Sequence, residues 1–275
     1  MSLDIQPIGV DIAVVNWNTS EAALKAAGAY LGSEGIKPQV TVVDNASSDA
    51  ERRLLERSCP PGVALQLNEE NVGYGSAVNR VLRGGASEMV CISNADLLPS
   101  PGALAELTAV AQREPQAGMV GPVFGGDTDR YHAKLPSGFA MLGRIFVGSF
   151  MRGAVPSLSP GEIKEVGQPS GACFVVRRDT WEQIGGFDEG FFLWYEDVDL
   201  AKRLHDAGYH NLVVGSAQVG HAGAGSFRQV GRRRLQAIRL ASVRRYIEKH
   251  HRAAMPIAAP LLRAAAWARA DGKQE

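Results

Sequence analysis

Three short stretches carry residue types that do chemistry. In "SNADLLPS" an apolar run ends at Asn94 and Asp96. A carboxylate at a strand tip is an oxygen ligand for Mg²⁺ or Mn²⁺, which commonly bridge one or two carboxylates to substrate phosphates. Asn94 would orient that carboxylate or touch a ribose. The plainer reading is that Asp96 serves the turn before Pro99. In "FFLWYEDVDL" Glu196, Asp197 and Asp199 crowd negative charge at the start of a helix. Acids there complement the helix dipole. The aromatic residues just upstream would also exclude water and raise a carboxylate pKa toward the range of a general base. In "VGHAGAGS" His221 precedes a glycine-rich run. A lone histidine is usually a hydrogen-bonded structural residue. Gly220, Gly223 and Gly225, however, let backbone amides approach a phosphate. A fourth stretch, "NEENVGYGSAVNR", sets Asn71, Gly73, Tyr74 and Gly75 ahead of a helix, which suits phosphate or sugar contacts. It is neither a Rossmann glycine fingerprint nor a Walker A loop.

The elements that must position these groups are legible nearby. "DIAVVN" (11–16), "VTVVDN" (40–45), "GVALQLN" (62–68) and "MVCISNAD" (89–96) read as short strands. Those around residues 11, 40 and 89 show no alternation, as expected of strands covered on both faces. "TSEAALKAAGAYLG" and "GYGSAVNRVLRGG" between them read as helices, the first bounded by Thr19 or Ser20 and by Gly32. Strand and helix in alternation predict an α/β fold with a mixed, mostly parallel sheet. Ligands of open α/β sheets bind at the carboxyl ends of the strands. Those ends carry Asn16, Asp44 with Asn45, and Asn94 with Asp96. Residues 119–168, rich in Gly and Pro, read as irregular. "GACFVVRR" (171–178) reads as a strand, followed by helix, aromatic loop and a helix ending near Gly208. "YHNLVVGSAQVG" then gives one or two strands.

Bulk properties exclude some classes. The chain has 275 residues, 45% hydrophobic and 21% charged, with 29 basic and 29 acidic side chains. That balance points to no polyanionic partner, and no nucleic acid is expected. Cys59, Cys91 and Cys173 form no CxxC pair, which favours reduced thiols and a cytoplasmic setting. No signal peptide or membrane-spanning run is read.

Taken in order, "VVNWN", "VTVVDNASSD", "NVGYGSAVNR", "SNAD", "SGACFVVRR", "GGFDEGFFLWYEDVDLAKRLHDAGY" and "VGHAGAGS" resemble the inverting family 2 glycosyltransferases of GT-A fold. The resemblance covers about residues 10 to 227. Within that family "NVGYGSAVNR" and "YHAKLPS" (131–137) are most similar to bacterial rhamnosyltransferases of cell-wall or lipopolysaccharide synthesis. The resemblance implies that Asn16, Asp44, Asn45, Asn71, Gly73, Tyr74, Asn79 and Asn94 serve the nucleotide or donor. Gly171 would line the floor beneath the sugar. Asp96 would be the metal aspartate of a DXD-type motif, with Asn94 in place of its first acid, and His221 a second ligand. Asp197, with Glu196 beside it, would be the catalytic base. The implied activity is metal-dependent transfer, with Mg²⁺ or Mn²⁺, from a nucleotide-diphosphate sugar, best guessed as dTDP-L-rhamnose. The acceptor would be a glycan or lipid-linked saccharide. UDP- or GDP-sugars, or a catalytically silent nucleotide-sugar scaffold, are the alternatives. A sugar-nucleotide pyrophosphorylase would need a basic glycine-rich loop after the first strand, where this chain has "NWNTSEA".

The expected organisation is a catalytic domain over 1–227 and a basic helical tail over 228–275. The domain divides into a nucleotide half to about residue 98 and an acceptor half over 99–227. In "RQVGRRRLQAIRLASVRRYIEKHHR" Leu235, Ile238, Leu240, Val243 and Ile247 recur at helical spacing. Two readings stand side by side: a helix packed on the catalytic domain, or an interfacial helix with Trp267 nearby that makes peripheral membrane contact through 228–268.

Overall fold

The computed structural model describes residues 7–124, 134–135, 158–221 and 230–267. Among them, nine strands form one mixed sheet. They are β1 (Ile8–Asn16), β2 (Ile36–Asp44), β3 (Val63–Leu67), β4 (Met89–Asn94), β5 (Leu97–Pro99), β6 (Ala117–Phe124), β7 (Ile163–Val166), β8 (Cys173–Arg177) and β9 (His210–His221). The helices are α1 (Ser20–Leu31), α2 (Asp49–Ser58), α3 (Tyr74–Leu82), α4 (Ala103–Arg113), α5 (Arg178–Ile184), α6 (Glu196–Asp206), α7 (Arg232–His250) and α8 (Met255–Trp267).

The sheet runs β3-β2-β1-β4-β8-β6-β9-β5, with β7 paired to β9. β3, β2, β1 and β4 are parallel, and β8 is antiparallel to both β4 and β6. Successive side chains of a strand point to opposite faces. Thus Val10, Ile12 and Val14, with Met89 and Cys91, join α1 and α4 in one core, while Ala13, Val90 and Ile92 join α3 and α6 in the other. Tyr30 on α1 is fully buried, and its hydroxyl donates to Ser93 Oγ at 2.8 Å beneath the β4–β8 seam.

The stretch from 119 to 168 departs from the irregular expectation. β6 has eight consecutive buried residues, and β7 lies within the same stretch. The two glycines of β6 serve close approach rather than turns. A Cβ on Gly118 would meet Asn211 Oδ1 at 2.8 Å, and one on Gly121 would meet Pro169 at 2.6 Å.

One connection fixes the site. In a flat sheet β5 would lie four strand spacings from β4, about 19 Å. The chain from Asn94 to Leu97 spans at most about 10 Å. The sheet must therefore curl. It does so in β9, whose pairing with β6 jumps from Pro122–Val214 to Val123–Gln218 across a bulge. The far end of β9 then pairs with β5, setting His221 opposite Leu97. Backbone closure thus brings the end of β9 to the residue after Asp96.

Candidate functional site

At the tips of β1 and β2, polar side chains form a closed network. Asn16 Nδ2 donates to Asp44 Oδ1 at 2.8 Å, and Asn16 Oδ1 accepts from the backbone and hydroxyl of Thr19. Asp44 also accepts from the backbone N–H and hydroxyl of Ser47. Both Asn16 and Asp44 are fully buried. They shape the loops and do not line the cavity described below. Asn45 is the next hub. Its Nδ2 donates to Asn71 Oδ1 at 3.0 Å and to the Gly73 carbonyl at 3.1 Å, while its Oδ1 accepts from Val72 N–H. Gly73 opens α3 with φ of 86°, and a Cβ there would meet the Phe192 carbonyl oxygen at 2.6 Å. Tyr74 N–H donates to that same carbonyl at 2.9 Å, which ties the asparagine-rich turn to the aromatic loop. Asn79 lies deeper. It holds the backbone of Phe187 through both amide atoms and so positions the loop before α6.

The acid pair stands on a strained backbone. Trp194 and Tyr195 both have positive φ, 66° and 68°, immediately before Glu196. Such conformations are costly for aromatic residues and cluster at functional sites. Asp197 Oδ1 accepts from Val198 N–H at 2.8 Å, and its Oδ2 accepts from Gln168 Nε2 at 2.7 Å. Gly171 packs directly on this carboxylate, where a Cβ would come within 2.1 Å of Oδ2. Ala172, the next residue, accepts through its carbonyl from Asn94 N–H at 2.9 Å. Asp197 is thereby linked through two adjacent residues to the tip of β4. Burial raises the Asp197 pKa above the usual carboxylate value. Burial, reinforced by the charge of Asp197, raises Glu196 much further, and Glu196 Oε2 is buried without a hydrogen-bond partner. The Tyr74 phenol is likewise buried and unpartnered, and it is pushed up by burial and then by the charges of Glu196 and Asp197. Asp199 is different. Its fully buried carboxylate is met by Arg203, Lys249 and His250, each at 2.7 Å. Despite the opposing effect of burial, the His250 hydrogen bond and the Arg203 charge hold it below its usual value.

A cavity of about 160 Å³ opens at the strand tips. Its wall carries Asn45, Asn71, Gly73 and Tyr74 on one side, Asn94, Ala95 and Asp96 at the end of β4, and Phe192 with Leu193 from the aromatic loop.

The model of the glycosyltransferase like family 2 matches residues 7–239. The chain belongs to that family. It is 35% identical over 203 residues to the N-acetylglucosaminyl-diphospho-decaprenol L-rhamnosyltransferase of Mycobacterium tuberculosis, a stretch covering 66% of each chain. The chain thus spans just under two thirds of that relative's length. Two solved structures share the fold. The mannosyltransferase PcManGT of Pyrobaculum calidifontis, in complex with GDP-Man and Mn²⁺, aligns with a TM-score of 0.61 at 20% identity, over 98% of this chain and 77% of that one. GalNAc-T7 with UDP, GalNAc and Mn²⁺ aligns with a TM-score of 0.55 at 16% identity, over 79% of this chain and 44% of that one. The fold is GT-A.

In this family 2 glycosyltransferase the donor set at the β4 tip fits a hard divalent cation. Asp96 supplies a carboxylate and Asn94 stands beside it on the cavity wall. No group of three His, Cys, Asp or Glu side chains suited to a metal occurs among the described residues, so phosphate oxygens and water would complete any coordination there. The backbone of His221 is brought to Asp96 by the β5–β9 pairing. Its side chain, together with Gly223, Gly225 and residues 131–133 and 136–137, lies outside the described residues.

Sequence reasoning missed part of the wall. Val230, Arg234, Leu235 and Ile238, from the tail, line the same cavity. The helical spacing of Leu235 and Ile238 was visible, but nothing in the sequence said which surface that stripe faces. Gln168, which holds Asp197, gave no signal at all. Further along α7, Val243, Tyr246 and Ile247 share a core with Phe191, Val198 and, from α8, Ala258 and Leu262. Ser242 Oγ donates to the Leu193 carbonyl at 2.8 Å, and Arg245 and Lys249 pair with Asp188. The apolar stripe of α7 thus faces the protein. No described helix is long and apolar enough to cross a membrane.

Proposed function

We propose that this chain transfers a sugar from a nucleotide-diphosphate donor, best guessed as dTDP-L-rhamnose, to a saccharide or lipid-linked saccharide, with inversion at the anomeric carbon. The observation that carries the reading is the pairing of one cavity lined by asparagines and a strand-tip carboxylate with a separate, partly buried acid at Gly171. The rhamnosyl and lipid-linked parts rest on the activity for which the mycobacterial relative is named.

Asn45 and Asn71, fixed by one another, present amide and carbonyl groups to a base and ribose. Asp96, with Asn94, would hold the Mg²⁺ or Mn²⁺, which when bound neutralises charge on the leaving diphosphate. Asp197 takes the proton from the acceptor hydroxyl as the glycosidic bond forms. Its raised pKa brings it closer to the working pH, and the hydrogen bond from Gln168 fixes its orientation. Burial of Glu196, which raises its pKa, disfavours a second negative charge beside the base. One in-line displacement with base and leaving group on opposite faces inverts configuration.

The test is transfer from a panel of dTDP-, UDP- and GDP-sugars to a lipid-linked saccharide acceptor, with product anomers read by NMR. Asp197→Asn is expected to lower turnover by about 10²- to 10⁴-fold, the usual worth of a general base, while nucleotide binding persists. Turnover that survives in Asp197→Asn sinks the assignment. A retained anomeric configuration sinks the mechanism.

A further inference from the structure

The first turn of α7 carries Arg234, which lines the cavity. Arg234 is the single cation on the described cavity wall, as Asp96 is the single carboxylate. The other basic residues that dock the helix are satisfied. Arg245 pairs with Asp188, Lys249 with Asp188 and Asp199, and Arg244 with Glu248. Arg234 makes no ion pair or hydrogen bond among the described residues. The helix that carries it is nevertheless fixed. Leu235 and Ile238 face the cavity, and Ser242, Arg245 and Lys249 tie the same helix to the aromatic loop and to Asp188.

A guanidinium without a partner among the described residues, on the wall of a cavity lined mainly by amides and apolar groups, suits an anion. Its planar fork of donors matches two phosphate oxygens at once. We infer that Arg234 binds the diphosphate of the nucleotide sugar in the cavity it shares with the strand tips, so that the tail helix is part of the donor site. Arg234 then stabilises the negative charge that grows on the departing nucleoside diphosphate. The inference rests on the nucleotide-sugar reading above and adds to it a residue and a polarity. The base and ribose lie toward Asn45 and Asn71, and the phosphates lie between Asp96 and Arg234.

The test is calorimetric binding of dTDP, UDP and thymidine, with Mn²⁺, to the full chain and to Arg234→Ala, Arg234→Lys and Arg239→Ala. Arg239 is an exposed residue of the same helix that neither lines the cavity nor makes a described ion pair. Loss of a charge-assisted contact is expected to weaken diphosphate binding by about 10- to 100-fold in Arg234→Ala. Arg234→Lys should recover part of that loss, with thymidine binding unchanged and Arg239→Ala like the parent. Diphosphate binding unaltered in Arg234→Ala overturns the inference and leaves the nucleotide-sugar reading standing. So does an equal loss in Arg239→Ala, which would mean a general field, or an equal loss for thymidine, which would mean a displaced wall. A parent chain that binds no nucleoside diphosphate overturns the reading itself.

Discussion

Replacing Gly171 by alanine offers a direct test of how Asp197 is held. The new Cβ would lie 2.1 Å from Oδ2, 2.6 Å from Cγ and 2.7 Å from Cβ of Asp197. Ordinary contacts of this kind stand near 3.5 Å, so the carboxylate must retreat by about 1 Å or more. That retreat pulls Oδ2 from Gln168, now at 2.7 Å. A misplacement of about 1 Å at a reacting group costs on the order of 100-fold in rate, or about 2.7 kcal/mol of barrier. Overpacking adds about 1–3 kcal/mol of lost stability, so the comparison belongs well below the unfolding temperature. Steady-state transfer should show kcat down about 100-fold with donor KM and dTDP affinity within about threefold. Gln168→Ala, which removes the orienting bond without adding volume, should cost about 10- to 100-fold, as one hydrogen bond to a charged group is worth about 1.5–3 kcal/mol. A Gly171→Ala protein with parental kcat would refute the packing argument and with it the role of Asp197.

The acid limb of the rate profile should lie above the ordinary aspartate value, because the base must be ionised and burial raises its pKa. Rate should fall as pH drops through that raised value, and kcat/KM measured from pH 4 to 8 checks it. Glu196 is raised further, so the native state holds a proton that the unfolded chain has released, and stability falls as pH rises through that window. Glu196→Gln should therefore raise stability at pH 7.5, with turnover within about tenfold. An unchanged melting temperature would contradict this. Tyr74→Phe, which removes a buried unpartnered hydroxyl, should stabilise by up to about 1 kcal/mol in urea unfolding, and a destabilised variant would reveal a hidden partner. Asp199→Ala takes the buried carboxylate from Arg203 and His250 and should cost about 3 kcal/mol, the lower end for a broken buried pair because Lys249 keeps Asp188. The stability from Asp199, whose folded pKa is depressed, is complete above its unfolded value near 3.9 and is lost as pH falls through the folded one.

The parallel half of the sheet was readable because strands covered on both faces leave continuous Val- and Ile-rich runs. "VTVVDN" and "MVCISNAD" became β2 and β4 within a few residues. β6 was not readable, because its glycines and Pro122 look like a loop unless Pro169 and Asn211 are known to press against them. Asn45, Asn71, Gly73, Tyr74, Asn94 and Asp96 do come together on one wall. Asn16, Asp44 and Asn79 instead bond inward, a difference no residue type announces. The tail was the largest gap. A basic helix with an apolar stripe has the same pattern whether the stripe meets lipid or protein. Asp188 and Asp199, far away in sequence, anchor the helix to the domain.

The two residues between β4 and β5 also close a ring. β4, β8, β6, β9 and β5 are joined by hydrogen bonds, and Ala95 with Asp96 complete the circuit covalently. Most surface loops can gain or lose a residue at little cost. This one cannot, because its length must match the curl set by the β9 bulge. A single inserted residue would leave the ring too long and would let Asp96 drift from the end of β9. The length of that link is therefore as much a part of the site as the carboxylate it carries.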